Sequence, residues 1–190
     1  MPGISFQPWK AGLVLARLSA QTIRPPRQNP IKVGDALSMW ERQRSPERRK
    51  LGDAVCREVS PVVICAGGKV FLAEELLDDA ELEAFALADG FEGPKAFFKF
   101  FDHEYGLEQP FEGVVIKWSN FVGLGDFVVE LPGTCSQRYG EIVGYQRYRR
   151  SIYMPIVLWQ DGSCTFSNPG LLELVRDGQQ LSLFSLEGVA

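Results

Sequence analysis

Residue types that could support acid–base, nucleophilic or metal chemistry are sparse in this 190-residue chain. The one histidine, His103, lies between two acidic residues, so the sequence supports neither a histidine-rich metal site nor a catalytic triad. The four cysteines form no CxxC pair and have no close histidine, so a zinc knuckle is not expected. The chain also lacks a Walker loop, a GxGxxG motif after a predicted strand and a GxSxG elbow. We therefore expect no metal and no cofactor, and most familiar enzyme classes are excluded.

The clearest chemical feature is a basic stretch between Thr22 and Lys50. It holds eight basic and three acidic residues, a net charge of +5 in a chain whose total is −4. Such a stretch predicts a local contact with nucleic-acid phosphates, and a solvated charged loop is the alternative. Trp40, beside the basic loop, is the tryptophan best placed to stack on a base. The predicted nucleic-acid-binding residues are Arg24, Arg27, Lys32, Trp40, Arg42, Arg44, Arg48, Arg49 and Lys50.

The helices and strands that position these side chains can be predicted from the sequence pattern. Helices are predicted from Pro8 to Leu18, from Leu72 to Leu87, and from Pro94 onward. The third helix carries aromatic residues at helical spacing, which predicts core packing and not a stacking platform. Strands are predicted at residues 21–24, 36–40, 51–65 and 111–118.

The pattern changes at about residue 119, where short strands follow one another with turn signals between them. Predicted strands at 140–148 and 152–159 form a hairpin, Asp161-Gly162 predicts a tight turn, and a last strand is predicted at 181–184. We expect two domains, residues 1–118 and residues 119–190, the second a small antiparallel barrel. The fold class is α+β and mostly β. Because no signal peptide or membrane span is evident, a cytoplasmic protein without membrane contact is expected.

Several short segments between residues 4 and 118, taken in order, resemble the ASCH family of PUA-like β-barrels. The segments include Ser19–Pro25, Ile31–Asp35, Lys50–Gly52, Ala88–Phe91 and Gly113–Trp118. The Pro-Pro-Arg loop and the arginine-rich loop look like the form common in bacteriophage and prophage genomes. Residues 140–144 and 156–162 resemble SH3-like or KOW-type small barrels. The resemblance implies an ASCH barrel with flanking helices, followed by an SH3-like barrel.

The ASCH resemblance also implies a cleft suited to RNA or a nucleotide. Some small relatives are amidohydrolases that deacetylate acetylcytidine, with a Lys, a Thr three residues later and an acid, and ribonuclease activity is also attributed to the family. By position the Thr is Thr22 and the acid is Asp89, but the lysine position holds Ser19. Serine cannot take a proton at neutral pH, so this set is incomplete unless Lys32 reaches in from its loop.

Three functions remain open from the sequence. The preferred one is a non-catalytic module that binds RNA, single-stranded nucleic acid or a nucleotide, and is a bacteriophage accessory protein in a bacterial cytoplasm. The alternative is an amidohydrolase or ribonuclease, with Thr22 as nucleophile or water-positioning group and Asp89 as acid–base group. Asp89 is equally well explained as a cap between two helices. The third is a protein-interaction module that binds a host factor through the acidic residues 74–83.

Overall fold

The computed structural model describes residues 1–123, 126–130, 138–149, 152–167 and 172–174. It divides into two compact units, Met1–Phe121 and Val122–Ala190. Strands dominate both units, and the helices lie in the first, so the mostly β class with flanking helices is confirmed. Within the described residues, none of the helices is long and apolar enough to cross a membrane.

The first unit contains three helices and seven strands. The helices are α1 (Pro8–Leu15), α2 (Asp79–Ala88) and α3 (Pro94–Tyr105). The strands are β1 (Gly3–Phe6), β2 (Gln21–Arg24), β3 (Ala36–Glu41), β4 (Arg49–Cys65), β5 (Lys69–Leu72), β6 (Glu75–Leu76) and β7 (Phe111–Gly123). The predicted long strand at 51–65 is therefore confirmed as β4.

One sheet contains all seven strands, and the long strand β4 connects its parts. Along one path the order is β1-β3-β4-β5-β6, while β7 pairs with both β4 and β2. β1 runs parallel to β3, whereas the β2–β7, β3–β4, β4–β5 and β5–β6 pairings are antiparallel. In the β2–β7 register, Thr22 faces Ile116 and Arg24 faces Val114. Because side chains alternate along a strand, Thr22 and Arg24 lie on one face of the sheet and Ile23 lies on the other.

Two hydrophobic clusters lie on the two sides of this sheet. The first includes Val14 of α1, Leu37 of β3 and Ile116 of β7. The second includes Val115 of β7 and the aromatic side chains that α2 and α3 bury, among them Phe97, which is fully buried. The predicted core role of the α3 aromatic stripe is therefore confirmed for Phe97 and Phe101.

The predicted helix from Leu72 to Leu87 is wrong in its first half. Ala73 and Glu74 both have positive φ and form the two-residue turn between β5 and β6. The helix starts only at α2, where the Asp78 carboxylate accepts from the Glu81 backbone N–H and the Glu81 carboxylate accepts from that of Asp78. This capping box fixes the helix start seven residues later than the apolar pattern predicts.

The described residues of the second unit form a five-stranded antiparallel sheet. Its strands are β8 (Phe127–Glu130), β9 (Tyr139–Arg149), β10 (Ile152–Trp159), β11 (Cys164–Phe166) and β12 (Leu172–Leu174), in the order β11-β10-β9-β8-β12. The predicted β9–β10 hairpin is confirmed, and Gly162, with φ of 77°, lies in the turn before β11. The strand predicted at 181–184 lies outside the described residues. The SH3-like barrel stays a prediction.

Candidate functional site

A pocket of about 150 Å³ opens in the first unit between α1, β2 and α3. Aromatic rings form much of its wall, and ionisable side chains lie at its floor. Its lining residues are Phe6, Gln7, Trp9, Lys10, Thr22, Ile23, Arg24, Asp89, Phe91, Phe100, Phe101, Glu104 and Tyr105. Thr22, Arg24 and Asp89, which the sequence placed in one cleft, are thus brought together with several residues that it did not.

Lys10 reaches this pocket from the buried face of α1. Pro8 occupies the first turn of the helix, and Lys10, Ala11 and Val14 point inward. The Lys10 Nζ atom lies 2.7 Å from the Asp89 Oδ2 atom, and the two side chains are only 7% and 5% exposed. A buried ammonium next to a buried carboxylate forms a charge-assisted hydrogen bond. Because both groups are buried, water cannot take the place of either partner.

The end of α2 places Asp89 against α1. Asp89 is the C-cap residue, and the following Gly90 has φ of 89°, a left-handed conformation that favours glycine. A Cβ at Gly90 would lie 2.7 Å from a methyl carbon of Leu13, so a larger residue would force the Leu13 side chain to move. Gly90 therefore provides the left-handed turn that ends α2 directly after Asp89.

Burial shifts the pKa values of this ion pair toward each other. Desolvation lowers the pKa of Lys10 from 10.5 to about 8, and the adjacent Asp89 carboxylate opposes that shift only partly. Desolvation also raises the pKa of Asp89, against the favourable charges of Lys10 and Arg24. Moving a proton between the two groups therefore costs less here than in water. Oδ1 of Asp89 has no hydrogen-bond partner among the described residues.

Arg24 provides the second cation of the pocket. Its Nη2 donates to the Ser5 carbonyl oxygen at 2.6 Å, and its guanidinium lies 5.5 Å from the centroid of the Phe6 ring. The Nε atom is buried and has no partner in the described part of the chain. Burial lowers the pKa of Arg24, but a guanidinium stays charged throughout the physiological range. One acceptor and one donor without a hydrogen-bond partner among the described residues are thus buried beside the pocket.

Aromatic side chains enclose the rest of the pocket. Trp9 lies 5.4 Å from Phe91 and 6.0 Å from Phe100, measured between ring centroids. Tyr105 stacks on Phe101 at 5.6 Å. Trp9 and Tyr105 remain 41% and 44% exposed, so their rings border the opening and can contact a bound molecule.

Of the other residues that the family resemblance brought into the predicted catalytic set, one lines the pocket and two do not. Thr22 is 3% exposed and lines the pocket, as expected for a cleft residue. Ser19, at the position of the family lysine, is buried outside it and donates from Oγ to the carbonyl oxygens of Gln21 and Ala88. Lys32 is exposed in the loop before β3 and is not among the lining residues. The amine beside the acid therefore comes from Lys10.

The structure buries two of the residues predicted to make stacking or phosphate contacts. Trp40 is only 6% exposed, and its indole Nε1 donates to Ser38 Oγ at 3.0 Å, so this ring is part of the folded interior. Lys50 is 7% exposed and belongs to β4, with its Nζ 2.6 Å from Asp53 Oδ2. Strand pairing explains both, because Trp40 of β3 faces Lys50 of β4 and the two residues share one covered face.

The remaining loop arginines are exposed, but some of their charge is neutralised nearby. Arg42 pairs with Glu47, and Arg49 pairs with Glu41 at 2.7 Å. Arg44 and Arg48 are exposed as well.

Strand β1 holds this basic loop and the pocket arginine next to each other. Its Ser5 and Gly3 carbonyl oxygens accept from Arg24 and Arg27, while its Phe6 carbonyl oxygen accepts from the Arg42 backbone N–H.

Lys10 and the aromatic rings around the opening were missed from the sequence. A signal for Lys10 exists, because it shares the inward face of a short helix with Ala11 and Val14. A lysine on the apolar face of a helix is seldom buried without a partner. The chain does not reveal which acid that partner is, since Asp89 is 79 positions away in sequence.

Neither protein-family models nor curated proteins match the chain. Among solved structures, the ASCH protein of Zymomonas mobilis is similar, with a TM-score of 0.41 and 13% identity over 97% of this chain and 93% of that chain. Two point mutants of that protein give TM-scores of 0.41 and 0.40, also at 13% identity, and are covered over 96% and 94% of their length. A TM-score in this range does not by itself establish a shared fold or function.

Proposed function

We propose that this protein binds single-stranded RNA or a nucleotide and holds one base in the aromatic pocket. The observation that carries the proposal is the pair of buried polar atoms beside the pocket that lack partners within the residues the structure describes, Oδ1 of Asp89 and Nε of Arg24. Buried polar atoms without partners are rare in folded proteins, and a ligand that supplies one donor and one acceptor would satisfy both. A nucleobase edge has this combination of groups.

Charge and size favour a base over a free anion. The pocket lining includes two basic residues, Lys10 and Arg24, and two acidic residues, Asp89 and Glu104. Such a pocket gains little from an anion but can hydrogen-bond a neutral polar ring. Its volume of about 150 Å³ also fits one ring, since an engineered cavity of about that size holds benzene.

Phosphates would contact the basic side chains outside the pocket. Arg27 is exposed beside β1, and Arg44 and Arg48 are exposed in the loop that follows β3. Phosphate contacts position a strand without reading its sequence, and their contribution falls as salt rises. The base in the pocket would supply selectivity, and the exposed arginines would supply affinity.

The ASCH resemblance supports the same direction, because the PUA-like relatives are typically RNA-binding. Within this proposal the protein acts in the cytoplasm of a bacterium or an infected host, as a phage-type accessory protein. The SH3-like second unit would contact a second partner.

The test is fluorescence anisotropy with single-stranded RNA, single-stranded DNA and duplex, each at two salt concentrations. We expect salt-sensitive binding that prefers a single strand, because a paired base cannot enter the pocket. Replacement of the pocket tryptophan, Trp9→Leu, should weaken binding about tenfold, as stacking contributes roughly 1–3 kcal/mol per base. Phe166→Leu, at a 55% exposed ring on β11, is the matched control and should bind normally. Equal affinities for the two variants would contradict the proposal.

A second candidate function is hydrolysis of a modified nucleoside, and the Lys10 geometry favours it. An amine whose pKa is about 8 can accept a proton near neutral pH, and Thr22 lines the same pocket as a potential nucleophile. The expected reaction is release of acetate from acetylcytidine, lost in Thr22→Ala and in Lys10→Met but retained in Lys32→Met. If concentrated enzyme releases no acetate, this candidate function is removed and the binding function is untouched.

A further inference from the structure

A second, apolar pocket lies beside the first, and Arg24 belongs to both. It has a volume of about 90 Å³, and its lining residues are Arg24, Pro25, Pro26, Arg27, Pro30, Ile31, Val59, Val114 and Ile116. Prolines and aliphatic side chains dominate this lining, whereas the first pocket combines aromatic rings with buried charges.

The β2–β7 register explains how one arginine divides two pockets. Arg24 faces Val114, and Thr22 faces Ile116, so all four side chains lie on the same face of the sheet. Thr22 lines the first pocket, and the two β7 residues line the second. The Arg24 side chain therefore lies between the Lys10–Asp89 pair on one side and the aliphatic surface of β7 on the other.

The boundary between the pockets has unneutralised positive charge. Arg27 donates from Nη2 to the Gly3 carbonyl oxygen at 3.0 Å and is exposed. Arg24 and Arg27 are close enough for each charge to disfavour the other, and in the described residues neither forms a salt bridge with an acidic side chain. Two adjacent guanidiniums, whose positive charge Asp89 offsets only in part, form a site for a phosphate group.

We propose that the site binds two consecutive nucleotides of a single strand, with the first base in the aromatic pocket, the linking phosphodiester on Arg24 and Arg27, and the second nucleoside against the proline-lined pocket. This inference rests on the proposed function and adds the length and chemistry of the bound unit. The second pocket offers apolar contact and no polar atoms comparable to Asp89 Oδ1, so it accepts a ring or ribose without reading its edge. Selectivity is therefore expected at the first position and tolerance at the second.

The experiment compares uridine monophosphates, with the phosphate at 3′ or 5′, with the dinucleoside monophosphate UpU and the trinucleotide UpUpU. Binding is followed by the fluorescence of Trp9, the exposed tryptophan of the first pocket. We expect UpU to bind at least about tenfold more tightly than either monophosphate, because it fills both pockets. UpUpU should add little beyond UpU.

Filling the second pocket tests its role separately. Val59→Phe should reduce UpU affinity to the level of the monophosphates and leave monophosphate affinity unchanged. Val33→Phe, at a 65% exposed position that lines neither pocket, is the matched control. Because Val59 is partly buried, Pro26→Ala provides a second variant at an exposed position, with an expected loss of about threefold for UpU only.

The outcomes separate the two proposals. If the monophosphates bind and UpU binds no more tightly, or if Val59→Phe and Pro26→Ala leave UpU affinity unchanged, the two-nucleotide inference is overturned and the base pocket stands. If neither UpU nor the monophosphates bind, the proposed function fails and the inference fails with it.

Discussion

The aromatic pocket and the arginine-rich loop are two regions with basic side chains that β1 holds side by side, but these side chains have different surroundings. Lys10 and Asp89 are 7% and 5% exposed, and burial shifts the pKa values of both. In the loop, Arg42 and Glu47 form an ion pair with side chains 48% and 72% exposed. Exposed pairs contribute roughly 0–1 kcal/mol, whereas removing one partner of a buried pair costs several times more.

This difference shows that the number of charges in a segment is a poor guide to where binding is specific. The loop contains more arginines than any other segment, but acidic neighbours and solvent weaken their effect. The pocket has only two basic residues, but they are buried or partly buried, and polar atoms with no partner in the described ranges lie beside them. We therefore expect substitutions in the pocket to change stability and selectivity, and substitutions in the loop to change mainly the salt dependence of binding.

The largest expected effect is on stability. Asp89→Ala leaves the Lys10 ammonium buried without its partner, which should lower the free energy of unfolding by about 3–5 kcal/mol. The double variant Lys10→Met with Asp89→Leu removes both charges and should recover most of that loss. Urea unfolding of Asp89→Ala, the double variant and the exposed control Glu47→Ala measures both effects. If the double variant is less stable than Asp89→Ala, the ion pair is not the reason for the loss.

The next effect concerns ligand affinity. Arg24→Met removes a charged donor from the pocket and should weaken uridine monophosphate binding by about 10- to 100-fold, since hydrogen bonds to charged groups contribute about 1.5–3 kcal/mol. Arg48→Met removes an exposed loop arginine and should have little effect on this small ligand. Trp9 fluorescence titration measures both variants. Similar losses for the two arginines would remove the distinction between pocket and loop.

A third effect is the pH dependence of stability. Because the pKa of Lys10 is about 8 in the folded protein and 10.5 in the unfolded chain, the unfolded state binds more protons between these values. The free energy of unfolding should therefore rise as pH increases from about 8 to 10.5. Lys10 contributes less than about 1.4 kcal/mol per pH unit to this slope. The Lys10→Met, Asp89→Leu double variant serves as the reference, since other lysines titrate in both proteins. Parallel stability curves for the two proteins would contradict the pKa shift.

The smallest effect belongs to the loop. Arg44→Ala with Arg48→Ala should reduce the slope of log affinity against log salt for a single-stranded oligonucleotide by at most about 0.7 per lost phosphate contact. Arg42→Ala should reduce it less, because Glu47 already neutralises part of that charge. Binding of uridine monophosphate should be unchanged in all three substitutions. A large loss of monophosphate affinity would show that the loop belongs to the pocket.

Much of the fold follows from the sequence, because strand patterns and turn residues are local signals. The long β4 strand and the β9–β10 hairpin are examples. The helix predicted from Leu72 is wrong at its start, because a two-residue turn interrupts the apolar pattern there.

The candidate site is harder to predict from the sequence, because its contacts depend on how distant elements pack. Thr22 and Asp89 come from a family resemblance, but Lys10 reaches Asp89 only through the packing of α1 on the end of α2. Trp40 and Lys50 are misplaced for a related reason, since cross-strand pairing buries residues that lie next to a charged loop in sequence.

The central claim, that the pocket recognises a base, is tested most directly by separating base from phosphate. Uridine without phosphate and ribose 5-phosphate without a base can each be titrated while Trp9 fluorescence is followed. The account predicts that uridine changes the fluorescence saturably, that Trp9→Leu abolishes the change, and that ribose 5-phosphate has no effect at equal concentration. Saturable binding of ribose 5-phosphate with no response to uridine would contradict the account, because the site would then recognise phosphate alone.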